Sequence, residues 1–77
     1  MAALSLRQQF GTRLKTIRSQ RKLTQEEFAE RIGISVDFLS LIERGINAPS
    51  FEVLERMAGR LDLKVRDLFD FGRPVSR

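Results

Sequence analysis

The sequence predicts an all-α domain, a compact five-helix bundle. Three observations carry that reading. Apolar residues return every three or four positions in one segment after another, the period of a helix with one buried face. Thr24, Ser35 and Ser50 stand where caps start helices, and Gly33 and Gly45 stand where helices stop. No stretch alternates apolar and polar residues as a half-buried strand does. The 77 residues, 42% of them apolar, are enough for one small core and hence one domain over residues 1–77. Its end, from about 72 to 77, holds Gly, Pro and polar residues without periodicity and is expected to be a mobile tail.

The first helix is expected from about residue 5 to 20, with Leu6, Phe10, Leu14 and Ile17 as its inward stripe. Gly11 lies inside it and weakens it by roughly 1 kcal/mol relative to alanine. Next comes LTQEEFAERIG. Thr24 and Glu27 have the spacing of a capping box, in which the hydroxyl takes the third amide and the carboxylate reaches back. Leu23 and Phe28 can form the hydrophobic staple, and Gly33 fits the left-handed position past the helix end. This second helix covers about 24–32.

Ser35 caps a third helix, with Ile34 and Leu39 as its staple, Leu39 and Ile42 as its inward stripe and Gly45 at its end. INAP reads as a loop. Pro49 and Ser50 announce a fourth helix, with Phe51, Leu54, Met57, Ala58 and Leu61 on a wide apolar face. A last short helix, about 64–70, carries Val65, Leu68 and Phe69.

Composition excludes several functions. The chain has no Cys, His, Tyr or Trp. That removes disulfides, Cys-based metal sites, the commonest general base and any Ser/His or Cys/His nucleophile pair. The carboxylates Glu26, Glu27 and Glu30 fall on a helix surface with no pocket implied. No catalytic residue, metal or cofactor is expected. No apolar run approaches the roughly 18 residues a membrane span needs, and no signal peptide opens the chain. A membrane-surface role for the basic first helix conflicts with its apolar stripe, which the core needs. The chain is expected in the cytoplasm, at the nucleoid, and Met1 suggests a complete gene product.

The net charge of +4 is unevenly spread. Arg7, Arg13, Lys15, Arg18, Arg21 and Lys22 meet no acid before residue 23, whereas the remainder is slightly acidic. Such a segment suits either a polyanionic partner or a solvated helix face.

Two short helices joined by a glycine-containing turn make a helix-turn-helix. Ala29 is small enough for the helices to cross closely, Gly33 permits the sharp turn, and Leu39 with Ile42 anchors the second helix from below. The opposite face of residues 35–44 is then free to lie in a major groove. The N-termini of both helices would favour phosphate.

LTQEEFAERIGIS, then LSLIERG, then PSFEVLERMA together resemble the Cro/lambda-repressor-type (XRE) helix-turn-helix regulators, from about Leu6 to Phe69. The resemblance implies a lambda-repressor-like five-helix domain that binds operator DNA, usually as a homodimer. It implies that Thr24 and Gln25 start a phosphate-contacting helix, with Gln25 also bracing the recognition helix or else exposed without a partner. Ser35 and Ser40 match positions that bond phosphates or base edges. Phe38 either packs on sugar or a thymine methyl or folds back on the bundle. Arg44 and Asn47 match the phosphate-gripping loop, with a plain surface role as the alternative for Arg44. Arg18 and Glu43 match an internal ion pair, read as structural.

The chain departs from the family where bases are read. Relatives often carry Gln, Arg, Lys, Thr or Ser at positions that here are Val36, Asp37 and Leu41. Val36 can touch only a thymine methyl. Asp37 either accepts from cytosine N4 or offsets the helix dipole. Leu41 either meets thymine methyls or faces solvent. Arg7, Arg13, Lys15, Arg21 and Lys22 could compensate if they border the groove. Asp62 and Lys64 replace the family's usual Gly and Ser or Thr. The C-terminal end is therefore expected to gain stability from a second copy through Val65, Leu68, Phe69 and Phe71, unless these close one chain's own core.

The leading expectation is a sequence-specific double-stranded DNA-binding regulator acting as a homodimer. Phage repressors, restriction–modification controllers and antitoxins are all of this kind. The competing expectation is a protein-interaction module, such as an antitoxin-like partner of another protein, with weak base reading.

Overall fold

The computed structural model describes residues 4–72, so the expected tail lies outside them except for Gly72. Four α-helices follow in order: α1 (Leu6–Gln20), α2 (Gln25–Ile32), α3 (Val36–Glu43) and α4 (Phe51–Arg60). The fifth expected helix is a 3-10 helix, Val65–Phe69. Its brevity explains the correction, since five residues suit a tight turn better than an α-helix nucleus. The Asp67 amide donates to the Lys64 carbonyl three residues back at 2.9 Å. The Asp67 carboxylate takes the Lys64 amide at 2.8 Å.

Caps set the helix starts. Ser5 and Gln8 form a capping box on α1, and Thr24 and Glu27 form another on α2. Ser35 accepts from the Phe38 amide at 3.0 Å, and Ser50 from the Val53 amide at 3.2 Å. Gly33 ends α2 at φ 80°. After α4, Asp62 takes φ 57°, a conformation Asp tolerates better than most residues. Lys22 does the same at φ 59°, with nothing in its side chain to favour it.

The core joins Leu14 and Ile17 of α1, Phe28 and Ile32 of α2, Leu39 and Ile42 of α3, and Met57, Leu61 and Leu68. Two residues of the expected stripes are outside it. Leu6 is 62% exposed and Phe51 is 83% exposed. Each is the first residue of its helix, a turn before the first buried position.

Gly11 has a role that helix propensity hides. A Cβ built there would stand 2.2 Å from the Ile42 carbonyl oxygen and 2.9 Å from that of Glu43. The glycine lets α1 close on the end of α3, where any side chain would hold the two backbones apart.

Arginines tie the helices together through carbonyls left unpaired at helix ends. Arg13, only 6% exposed, donates through Nε to the Asp67 carbonyl at 3.0 Å. Arg21 reaches the Leu61 carbonyl at 2.7 Å, and Arg56 reaches that of Gly33 at 3.1 Å. The sequence offers Arg13 and Arg21 among the cations that compensate if they border the groove. They serve the fold, because each guanidinium spans from one helix to the end of another.

The C-terminal residues close the chain's own core. Leu68 is fully buried, which removes it as a dimer contact. Phe69 packs on Phe10 with ring centres 5.1 Å apart, and Phe71 meets the edge of Phe69 at 6.1 Å. Both are half-buried in that aromatic run, which favours their role in one chain. Val65 remains 38% exposed.

Candidate nucleic-acid interface

Glu43, the last residue of α3, organises the site. Its side chain is 3% exposed. Arg18 holds it with two parallel bonds, Nε to Oε2 at 2.7 Å and Nη2 to Oε1 at 3.0 Å. Gln25, the first residue of α2, donates Nε2 to the same Oε1 at 2.9 Å. Arg18 also spans to the Leu23 carbonyl at 3.1 Å. The bond to Glu43 raises the Arg18 guanidinium further above its ordinary value, so it stays charged. The N-terminus of α2 is thereby pinned beside the C-terminus of α3.

The exposed face of α3 carries few groups that read bases. Val36 is 36% exposed and Asp37 is exposed beside it. Ser40 and Leu41 are half-buried at its shoulder. Phe38 is half-buried and packs against the core, which favours the alternative of folding back. The Leu41 carbonyl accepts from the Ile46 amide at 2.9 Å and from the Asn47 amide at 3.3 Å, so the following loop is held against α3.

Polar groups suited to phosphate stand at both ends of this face. Ser35 at the start is exposed, and its cap uses a lone pair while leaving the hydroxyl proton free to donate. At the far end Arg44 and Asn47 are exposed. Thr24 caps α2 there, with its hydroxyl accepting from the Glu27 amide at 3.1 Å. Glu27 returns to the Thr24 amide at 2.9 Å, and this bond pulls its carboxyl below the usual range.

Arg7 belongs to this end too. It is exposed on α1 and donates Nη1 to the Ile46 carbonyl at 3.1 Å, which sets a guanidinium beside the Arg44–Asn47 loop. Among the expected cations Lys15 and Lys22 are also exposed, and Lys22 directly precedes Leu23 and the α2 cap. The position of Arg7 was not legible from its surroundings in sequence, since its partner lies 39 residues away. Among the described residues no cluster of three or more acidic, His or Cys side chains is arranged to hold a metal ion. No described helix is long and apolar enough to cross a membrane.

The helix-turn-helix pattern HTH_3 matches residues 14–68. The immunity repressor protein of Bacillus phage phi105 is 46% identical over 55 residues, covering 71% of this chain and 38% of the relative. The regulator SinR of Bacillus subtilis (strain 168) is 36% identical over 61 residues, covering 78% of this chain and 55% of the relative. The chain therefore spans well under two thirds of the length of these two relatives. Among solved structures, the restriction–modification controller protein C.AhdI from Aeromonas hydrophila superposes with a TM-score of 0.76 at 32% identity. That likeness covers 82% of this chain and 96% of the controller. The clp gene regulator ClgR from C. glutamicum gives a TM-score of 0.75 at 32% identity, over 86% of each chain.

Proposed function

Because the chain belongs to the helix-turn-helix family HTH_3, we propose that it is a transcription regulator that binds double-stranded DNA through α3. The observation that carries this is the layout of α3. An exposed face bearing Val36 and Asp37 is bounded by Ser35 at one end and by Arg44, Asn47 and Arg7 at the other. A major groove admits a helix of this kind, and the groups at its two ends suit the phosphates on either side. Thr24, Gln25, Ser35, Ser40, Arg44, Asn47 and Arg7 fix the register, with Gln25 acting both as a brace on Glu43 and as a phosphate contact. Val36 and Leu41 meet thymine methyls, and Asp37 accepts from cytosine N4.

Few hydrogen-bonding side chains face the bases, so DNA shape carries much of the discrimination. The chain acts as a single domain over residues 1–77, as a homodimer on a paired operator with half-sites roughly 34 Å apart. Names of the relatives support the regulatory reading: one is a phage immunity repressor and a structural neighbour is a restriction–modification controller.

Selection of bound duplexes from a random pool, followed by a salt titration on the winner, tests this. A DNA reader returns a paired motif and loses affinity steeply as salt rises, because bound phosphates release counterions. Asp37, an exposed acid on the reading face, favours a second reading: an antitoxin-like protein-interaction module with weak base contacts. That reading gains if no duplex is enriched and the chain instead purifies with a protein. Enrichment of G-rich sites that depend on direct hydrogen bonds would overturn the shape-and-methyl account.

A further inference from the structure

Two arginines crowd the turn between α2 and α3. Arg56 and Arg60 stand one turn apart on α4, and both are exposed. A Cβ built on Gly33 would lie 3.1 Å from Arg56 Nε and 3.1 Å from Arg60 Nη1, so the two nitrogens are within about twice that distance of each other. Among the described residues neither arginine is ion-paired; the pair that forms is Arg18 with Glu43. Glu52, one turn before Arg56, has the spacing for a helical ion pair, yet Arg56 turns to the Gly33 carbonyl at 3.1 Å. We infer that Arg56 and Arg60 form a phosphate-binding site over the turn, separate from the groups at the two ends of the α3 face.

Three features carry this. A guanidinium has five N–H donors. Arg56 spends one on Gly33, and Arg60 approaches the Arg31 carbonyl only at 3.5 Å, too long for a firm bond. Like charges one turn apart repel, and an anion between them removes that cost. Arg13 and Arg21 differ, since Arg13 is buried and Arg21 half-buried against the carbonyls they hold. Finally, a planar carboxylate matches one fork, whereas a tetrahedral phosphate accepts from two forks at once. The phosphate comes either from a duplex backbone, since Gly33 stands two residues before Ser35 at the start of the α3 face, or from a free phosphorylated ligand.

The site stands independently of the DNA reading above; only the duplex source rests on it. The first arm is a titration of the whole chain with inorganic phosphate, replacing chloride at constant ionic strength, followed by the arginine Nε–H resonances. Arg66, exposed on the 3-10 helix and without an ion pair, is the internal control. Arg56 and Arg60 should shift together and saturate, and Arg66 should not. Arg60→Gln should weaken phosphate binding by about tenfold or more, the loss of one charge-assisted contact. That variant keeps the Arg56–Gly33 bond, and circular dichroism monitors its fold.

The second arm measures duplex affinity against salt for wild type, Arg60→Gln and Arg56→Gln. If the phosphate belongs to the duplex, each variant should reduce the slope of log affinity against log salt by about 0.9. An unchanged slope with saturable phosphate binding assigns the site to a free phosphorylated ligand. A chain that binds no duplex yet binds phosphate at Arg56 and Arg60 keeps the site and overturns only the DNA reading. Phosphate shifts that are absent, or equal at Arg66, together with an unchanged slope in folded variants, overturn the inference.

Discussion

Arg18 and Glu43, 25 residues apart, meet in a two-pronged ion pair that locks α1 to the end of α3. Glu43 is nearly fully buried, so its charge depends on its partners. Arg18→Ala leaves it with Gln25 alone and should cost about 3–5 kcal/mol. A small domain holds only about 5–10 kcal/mol in total, so the variant should lose a large share of its stability. Arg18→Lys keeps the charge but loses the fork and should fall between the two. The double change Arg18→Met with Glu43→Leu should recover most of the loss, because it removes both charges. Urea denaturation followed by circular dichroism measures all three. A loss below about 1 kcal/mol for Arg18→Ala would mean that water already solvates the pair.

Gly11 and Gly59 both sit inside helices, and the same substitution should act on them in opposite directions. At Gly59 an added Cβ meets nothing within 4 Å. Gly59→Ala should therefore stabilise by roughly 0.5–1 kcal/mol, the ordinary gain in helix propensity. At Gly11 that gain competes with backbone oxygens of Ile42 and Glu43 that lie inside contact distance and cannot swing aside. Overpacking of about 1–3 kcal/mol wins, and Gly11→Ala should destabilise. Thermal melts of both variants check the signs.

These two glycines also show what the sequence made legible. Local signals were enough for the caps at Thr24, Ser35 and Ser50 and for the turn at Gly33, since each is settled within a few residues. The α2–α3 unit was readable for that reason. Gly11 looked like a flaw because the carbonyls that require it come from α3. Leu6 and Phe51 kept the helical period yet face water, because periodicity says which side a residue is on and not whether a neighbour covers it. The basic N-terminal stretch left the role of each cation open for a related reason. Arg13 and Arg21 cap distant carbonyls, and nothing beside them in the chain announces those partners. Arg7 is the counter-case, a cation brought to the site by a bond to Ile46.

Sorting the arginines this way predicts how each responds to salt. Arg7→Ala and Arg44→Ala should each weaken DNA binding across sequences and reduce the slope of log affinity against log salt by about 0.9, one phosphate contact apiece. Arg13→Ala should leave the slope unchanged and lower the melting temperature, since its guanidinium is buried against Asp67. Fluorescence anisotropy on one duplex between low and moderate salt separates them. An unchanged slope for Arg44→Ala would remove Arg44 from the phosphate contacts.

Acid should act on the α2 cap. Glu27 has its carboxyl pulled below the ordinary 4.5 by the Thr24 amide bond. A lowered folded value means that the ionised form favours the fold. Its contribution is complete above about pH 4.5 and fades as pH falls through the lowered value. Glu27→Gln lacks this charge, so its melting temperature should trail wild type at pH 7 and converge on it towards pH 3. A gap that stays constant through acidification would show that packing, not charge, makes the difference.

Asp37 decides between reading and repelling. In the first turn of α3 its carboxylate offsets the helix dipole, worth about 0.3–1 kcal/mol. A base contact is worth more, about 1–3 kcal/mol of discrimination. Asp37→Asn separates the two because asparagine loses the charge but pairs with adenine. If Asp37 reads cytosine, the variant's selected motif should change at one position per half-site from cytosine to adenine, by roughly 5- to 150-fold. If Asp37 serves only the helix, the motif should stay fixed and the variant should melt slightly lower. Duplex affinity should also rise at low salt in either case, since one acid has left the neighbourhood of the phosphates. Selections run in parallel on wild type and variant give the answer, and an unchanged motif together with unchanged affinity would place Asp37 away from the duplex altogether.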